Sequence, residues 1–206
     1  MTFISFDVRT KAEAVVEKLQ QYPDAVDVTA CVSPITLPHS MWGRRYDGKD
    51  YKLNVWTVRY NLPEFFGIQM VDGTKFSEQS HSRNEMLVTS NLHSEIGIPL
   101  GHVENGYTIC GMVKDVKLAP ADDGIDYIAL LCNSSRQFGT FYVKLKQGAD
   151  IAAFSKYVRE LVQEFAPGAD EPEVEFFDQA IGNLYNTTKK SAVTIALFAL
   201  LSVVIA

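Results

Sequence analysis

The last sixteen residues, Ser191 to Ala206, restrict this chain more than any other stretch. They contain no Gly, Pro, Asn or ionisable group. A helix that is apolar on every side has no place at a wet surface; it belongs in a large core or in lipid. The run is shorter than the roughly 18–20 residues of a spanning helix, yet it is still apolar at its last residue. It reads as the start of a transmembrane helix over 185–206, a buried C-terminal core helix being the other reading.

Hydrophobic content of 47% and charged content of 21% suit a globular core ahead of that run. A net charge of −6 and the lack of any Lys/Arg-rich segment exclude nucleic acid as a partner. Met1 to Asp7 has no basic start and no long apolar stretch, so no signal peptide is expected there. Cys31, Cys110 and Cys132 are too few and too scattered for a disulfide framework or a zinc site. Each lies in an apolar run and reads as a buried free thiol.

Ile4, Phe6 and Val8 alternate with polar residues and predict a strand. Thr10 and Glu13 stand at capping-box spacing, which predicts a helix over 11–22 with its stripe at Ala12, Val15, Val16, Leu19 and Tyr22. Pro23-Asp24 ends it, and Val26 to Val32 is a second strand. The same plan returns late in the chain. Thr140–Lys146 reads as a strand, and Asp150 as the N-cap of a helix over 151–166. Phe154, Val158, Leu161 and Phe165 recur on one face of that helix, Pro167-Gly168 stops it, and Val174–Phe177 closes the unit. Two such units predict a split β-α-β, ferredoxin-like arrangement with both helices on one face of a shared sheet.

The intervening texture differs. Residues 39–50 read as a polar, aromatic-bearing loop and Tyr51–Tyr60 as a strand. Pro63–Gly67 reads as a short helical turn, Asp72-Gly73 as a turn, Glu85–Thr89 as a strand and Asn91–Ile96 as a short helix stopped by Gly97. Tyr107–Lys117 is a long strand with Gly111 as a candidate bulge, and Tyr127–Cys132 another. The expected organisation is α+β in two lobes. One, of residues 1–60 and 137–184, is built from both chain ends; a smaller, mostly β lobe, 61–136, is inserted in it.

Chemistry is scarce. His39, His81, His93 and His102 have no helical i, i+4 partner and no neighbouring Cys, so they read as surface or locally bonded histidines. Asp122, Asp123 and Asp126 lack calcium-loop spacing and read as a solvated acidic loop. There is no nucleophile turn, phosphate loop or dinucleotide fingerprint. No catalytic, cofactor-binding or metal-binding residue is therefore assigned, no cofactor is expected, and the chain is not expected to be an enzyme. Asn186-Thr187-Thr188 fits a glycosylation acceptor only as a short motif. Trp42, Tyr46, Arg44 and Arg45 could form an aromatic-basic contact surface, or their rings could pack back on the domain.

Four stretches together carry a resemblance. They are the opening strand–helix–strand through Pro38; Leu62 to Ser77, with Phe65-Phe66-Gly67 and Asp72-Gly73-Thr74-Lys75-Phe76; Glu85–Asn91 followed by Ile109–Val116; and Val174 to Tyr185 entering the apolar run. In this order they resemble the extracytoplasmic domain of ABC transporter permeases of the MacB/FtsX type, of a Bacteroidetes-like bacterium. Thr74 stands where that family commonly has Arg, and Val116 where it has Phe.

The resemblance implies a membrane-proximal lobe formed by both chain ends, in the cell membrane's outer-facing compartment. It also implies a cytoplasmic ATPase partner, a second permease copy, and a periplasmic protein or peptide as cargo. On this reading the segment from Asp178 into the membrane helix is a rigid lever. Lys189-Lys190 favour the opposite orientation by the positive-inside rule. The alternatives are accordingly a tail-anchored or a periplasmic protein-binding module.

Overall fold

Two apolar helix stripes and four strands share one core. The computed structural model describes residues 1–116, 127–135 and 137–179. The expected membrane helix over 185–206, the lever beyond Gln179, Asn186–Thr188, Lys189-Lys190, Asp122, Asp123 and Asp126 lie outside the described residues. Among the described residues, no helix is long and apolar enough to cross a membrane.

In chain order the elements are β1 (Thr2–Ile4), α1 (Ala12–Gln20), β2 (Ala25–Cys31), β3 (Ser40–Tyr46) and β4 (Lys49–Thr57). Next come α2 (Leu62–Phe65), β5 (Met70–Gly73), α3 (Ser80–Arg83), β6 (Glu85–Thr89), a π turn at Leu92–Ile96, β7 (Val103–Glu104) and β8 (Tyr107–Val113). The chain continues through β9 (Tyr127–Cys132), β10 (Thr140–Leu145), α4 (Ile151–Phe165) and β11 (Val174–Glu175). The fold is α+β.

The end units share one antiparallel sheet in the order β11-β1-β10-β2. Its two β-α-β units interlock, because β10 of the second lies between β1 and β2 of the first. Alternation along the strands turns Phe3, Val28, Ala30, Phe141 and Val143 to one face. There they meet Val15, Val16 and Leu19 of α1 and Phe154, Val158 and Leu161 of α4. Each fully buried Leu, Val or Phe contributes roughly 1.5–3 kcal/mol, and none of the short strands would persist without this layer. Asp150 caps α4, its carboxylate accepting from the Ala153 N–H at 3.0 Å.

The N-terminal unit departs from expectation at its start. The first strand is Thr2–Ile4 rather than Ile4–Val8, and Phe6 is exposed. Thr10 and Glu13 form no capping box; a turn of 3-10 helix at Arg9–Lys11 leads into α1, which has no side-chain cap. Glu13 is drawn instead to Arg59, as described below.

The second sheet has seven strands, in the order β3-β4-β9-β6-β8-β5 with β7 also on β8. It includes Ser40–Thr57, so the expected inner boundary near residue 60 does not match the strand pairing, and this sheet is the larger one. Residues 39–50 are not a loop; β3 forms a seven-pair antiparallel ladder with β4. Both faces are covered. All six residues of β9 are buried, which explains its unbroken apolar reading.

One face packs on Leu62, Phe65 and Phe76, the other on Leu92, Ile96 and Ile98 from the segment after β6. The bulge expected at Gly111 sits at Cys110, which the pairing skips between Ile109 and Gly111. A Cβ on Gly111 would lie 2.6 Å from Met70 Cε, 2.7 Å from the Thr74 carbonyl and 2.8 Å from Leu87 Cδ2. Gly111→Ala should therefore destabilise the fold by about 1–3 kcal/mol through overpacking. An unchanged urea midpoint would show that the β5–β8 approach gives way freely.

Candidate functional site

The residues with the densest polar and aromatic bonding lie where the chain passes between the sheets. Leaving β4, the chain turns along β2: the Val32 N–H donates to the Thr57 carbonyl and the Arg59 N–H to the Ala30 carbonyl. Cys31 and Val58 form an isolated bridge that joins the two sheets. Arg59 is consequently buried, at 7% exposure. Its Nε donates to Glu13 Oε2 at 3.1 Å and its Nη1 to Asn61 Oδ1 at 3.0 Å. Asn61 Oδ1 also accepts from the Thr29 hydroxyl, and Asn61 Nδ2 donates to the Val28 carbonyl. The guanidinium rests 4.7 Å from the Tyr60 ring centre. One cation thus ties α1, β2 and the entry to α2.

A second tie crosses the reverse face of the helix-bearing sheet. Tyr142 on β10 points away from the helices, and its hydroxyl accepts from the Ile35 N–H at 2.8 Å. Its ring packs against Phe66 (5.1 Å) and Phe177 (5.5 Å), and Phe66 meets Phe177 at 5.2 Å. Phe177, two residues past β11, is therefore held by both the loop after α2 and the central strand. Burial pushes the Cys31 thiol from its usual 9.0 up to about 12, against the pull of a hydrogen bond with Tyr142. Burial, then the nearby Cys31, raises the Tyr142 phenol as well.

The histidines remain apart. His81 is buried, with Nδ1 2.9 Å from the Asn133 carbonyl and 3.2 Å from Cys132 Sγ. His93 Nδ1 is 2.8 Å from the Ile98 carbonyl, His102 stands 3.6 Å from Glu104, and His39 is exposed. Among the described residues, no group of three or more His, Cys, Asp or Glu could hold a metal. Cys31 and Cys132 are buried and Cys110 is half-buried; all three are free thiols.

Trp42, Arg44 and Tyr46 share the inward face of β3. Arg44 lies 5.3 Å from the Trp42 ring centre and donates to Glu104 Oε1 at 2.7 Å. The Tyr51 hydroxyl donates to Glu104 Oε2, and Tyr46 stands edge-on to His102. The rings thus pack back on the domain, while Arg45 points outward to a bidentate pair with Asp50. Glu104, the anchor of this cluster, was not singled out by sequence reasoning; Asn105-Gly106, a hairpin turn with φ of 52° and 83°, was the available signal.

Arg59→Ala should cost about 2 kcal/mol in urea unfolding, since it strands the Glu13 carboxylate and the Asn61 amide. Arg59→Lys should recover part of this, keeping the charge without the planar fork; equal losses in the two variants would remove the fork from the account. The raised Cys31 and Tyr142 values mean that the neutral forms are favoured by folding. For Cys31 the stabilisation is complete below pH about 9 and falls as pH rises toward about 12. In neutral buffer iodoacetamide should label Cys31 and Cys132 only after denaturant is added; rapid labelling of the native protein would contradict this.

No protein-family model matches the chain, and no curated protein matches it. Solved structures do resemble it. The periplasmic region of MacB from Actinobacillus actinomycetemcomitans superposes with a TM-score of 0.58 at 15% identity, over 90% of this chain and 91% of that one. The extracellular domain of the ABC-type transporter YknZ from Gram-positive bacteria gives 0.60 at 14% identity, over 80% and 88%. At such identities the likeness is one of fold.

Proposed function

We propose that this chain is the extracytoplasmic domain of an ABC transporter permease. In this reading it couples ATP hydrolysis on a cytoplasmic partner to movement outside the cell membrane. The observation that carries the proposal is the pairing of the two end strands. β1 and β11 are antiparallel neighbours, with Thr2 opposite Glu175 and Phe3 opposite Val174. The chain therefore enters and leaves side by side, at one end of one sheet. A domain built so can be carried between two membrane spans without a long connection, and the apolar run from Ser191 supplies a candidate for the second span. The fold likeness to the MacB and YknZ domains supports the same reading.

The domain does no chemistry of its own in this scheme. Its partners are an ATPase subunit or domain, a second permease copy, and a periplasmic protein or peptide handled for export or envelope signalling. Movement reaches the domain through the segment after Gln179, which holds a single Gly, Gly182, and no Pro. A helix rises 1.5 Å per residue and transmits displacement, whereas a Gly-Ser stretch behaves as a coil.

Inserting a flexible Gly-Ser segment after Tyr185 in the complete permease should abolish cargo function and leave ATP hydrolysis largely intact. Normal cargo function in that variant, at normal expression, would make the domain a passive binding module instead.

A further inference from the structure

A groove of about 620 Å³ opens on the reverse side of the helix-bearing sheet, between α2, β10, the turn before α4 and the strand exit at Phe176-Phe177. That volume falls within the roughly 300–1,000 Å³ of small-molecule sites. Its walls are mostly aromatic and aliphatic: Phe65, Phe66, Tyr142, Leu145, Ile151 and Phe177 among them. Phe176 at its rim is 48% exposed.

The charge of the lining is one-sided. Two lysines, Lys144 and Lys146, contribute to it and no carboxylate does, in a chain whose net charge is −6. Lys146 is already occupied, donating to the Pro23 carbonyl at 2.6 Å and standing 3.8 Å from Asp24. Lys144 differs. Its ammonium donates to the Phe65 carbonyl and lies 4.3 Å from the Phe65 ring centre, and among the described residues no carboxylate is paired with it. An ammonium has three donors, so two remain for an anion at the groove mouth. The carboxylate just past the rim, Asp178, is exposed and acts on the Met1 amino group, and it forms no ion pair with Lys144 among the described residues.

We propose that this groove takes up one single-chain anionic amphiphile, an alkyl carboxylate or alkyl phosphate. The alkyl tail lies against Phe65, Phe66 and Phe177, and the head accepts hydrogen bonds from Lys144. The inference rests on the groove alone and is independent of the permease reading.

The test is calorimetric titration of the full chain with dodecanoate held below its micellar concentration. Saturable one-to-one binding is expected. Lys144→Met should weaken it about tenfold, the loss of a charge-assisted hydrogen bond. Lys144→Arg should retain it, and Ala149→Phe, which fills the groove, should abolish it. Dodecyltrimethylammonium, with the same tail and the opposite charge, should bind about tenfold more weakly or not at all.

Equal affinity for the two head groups would overturn the proposal. So would unchanged binding by both Lys144→Met and Ala149→Phe, which would put the tail elsewhere, for instance on the apolar run. Absence of dodecanoate binding overturns it, as does binding only to phosphatidylglycerol vesicles, the mark of a membrane-surface contact. Should Ala149→Phe fail to fold, the Lys144 pair of variants decides, because Lys144 is exposed and its main-chain ladder to Asp27 does not need the side chain.

Discussion

Arg59 is a cation at a point where the chain leaves a seven-stranded sheet and runs along a four-stranded one. Its burial is forced by that crossing, since the neighbouring main chain is already engaged with Ala30 and Cys31. A buried guanidinium without partners would cost several kcal/mol. Glu13 and Asn61 offset this, and in doing so they fix where α1 sits relative to β2 and where α2 begins. The two sheets are thereby joined by a hydrogen-bonded polar cluster as well as by the apolar contacts of Cys31, Val58 and Tyr142. Apolar contacts alone tolerate sliding; directional bonds from one planar fork to two elements do not.

The helix-bearing layer was legible in the sequence because its period is simple. Val15, Val16 and Leu19, then Phe154, Val158 and Leu161, mark one face each, and all six are buried against a common sheet. What could not be read was which local signal would lose to a distant partner. Thr10 and Glu13 carry capping-box spacing, but the Glu13 carboxylate is worth more against a buried Arg 46 residues away than against a backbone N–H in water. Short-range pattern alone contains no term for that competition.

β3 was missed for a related reason. Trp42-Gly43-Arg44-Arg45-Tyr46 alternates correctly, yet its inward residues are a ring, a cation and a ring. A hydrophobic template does not score Arg44 as an inward residue. It becomes one because Trp42 lies beneath it and Glu104, brought over by the Asn105-Gly106 turn, meets its Nε. The outward partner Arg45 is no anomaly; its pair with Asp50 is exposed and contributes little. Of the junction itself, Cys31 was singled out in advance only as a buried thiol, and Glu13 only as half of a capping box. The junction is made by residues far apart in the chain, and no spacing rule brings Asn61 to Thr29.

The exit of the domain follows the same logic. β11 is two residues long, and its ladder to Thr2 and Phe3 is too short to resist a pull on its own. Resistance comes from Phe177, wedged between Tyr142 of the central strand and Phe66 after α2. Tyr142 is in turn bonded to Ile35, in the connection that carries the chain from β2 to β3. Phe66 follows directly on the helix that Asn61 positions. Within the proposed function, a displacement applied beyond residue 177 would be received by both sheets together. It cannot peel off one edge strand without first unpacking three rings, each pair worth about 0.5–1.5 kcal/mol beyond its buried area. Within the proposed function, this is what lets so short a closing strand serve as the point of attachment for the segment that follows.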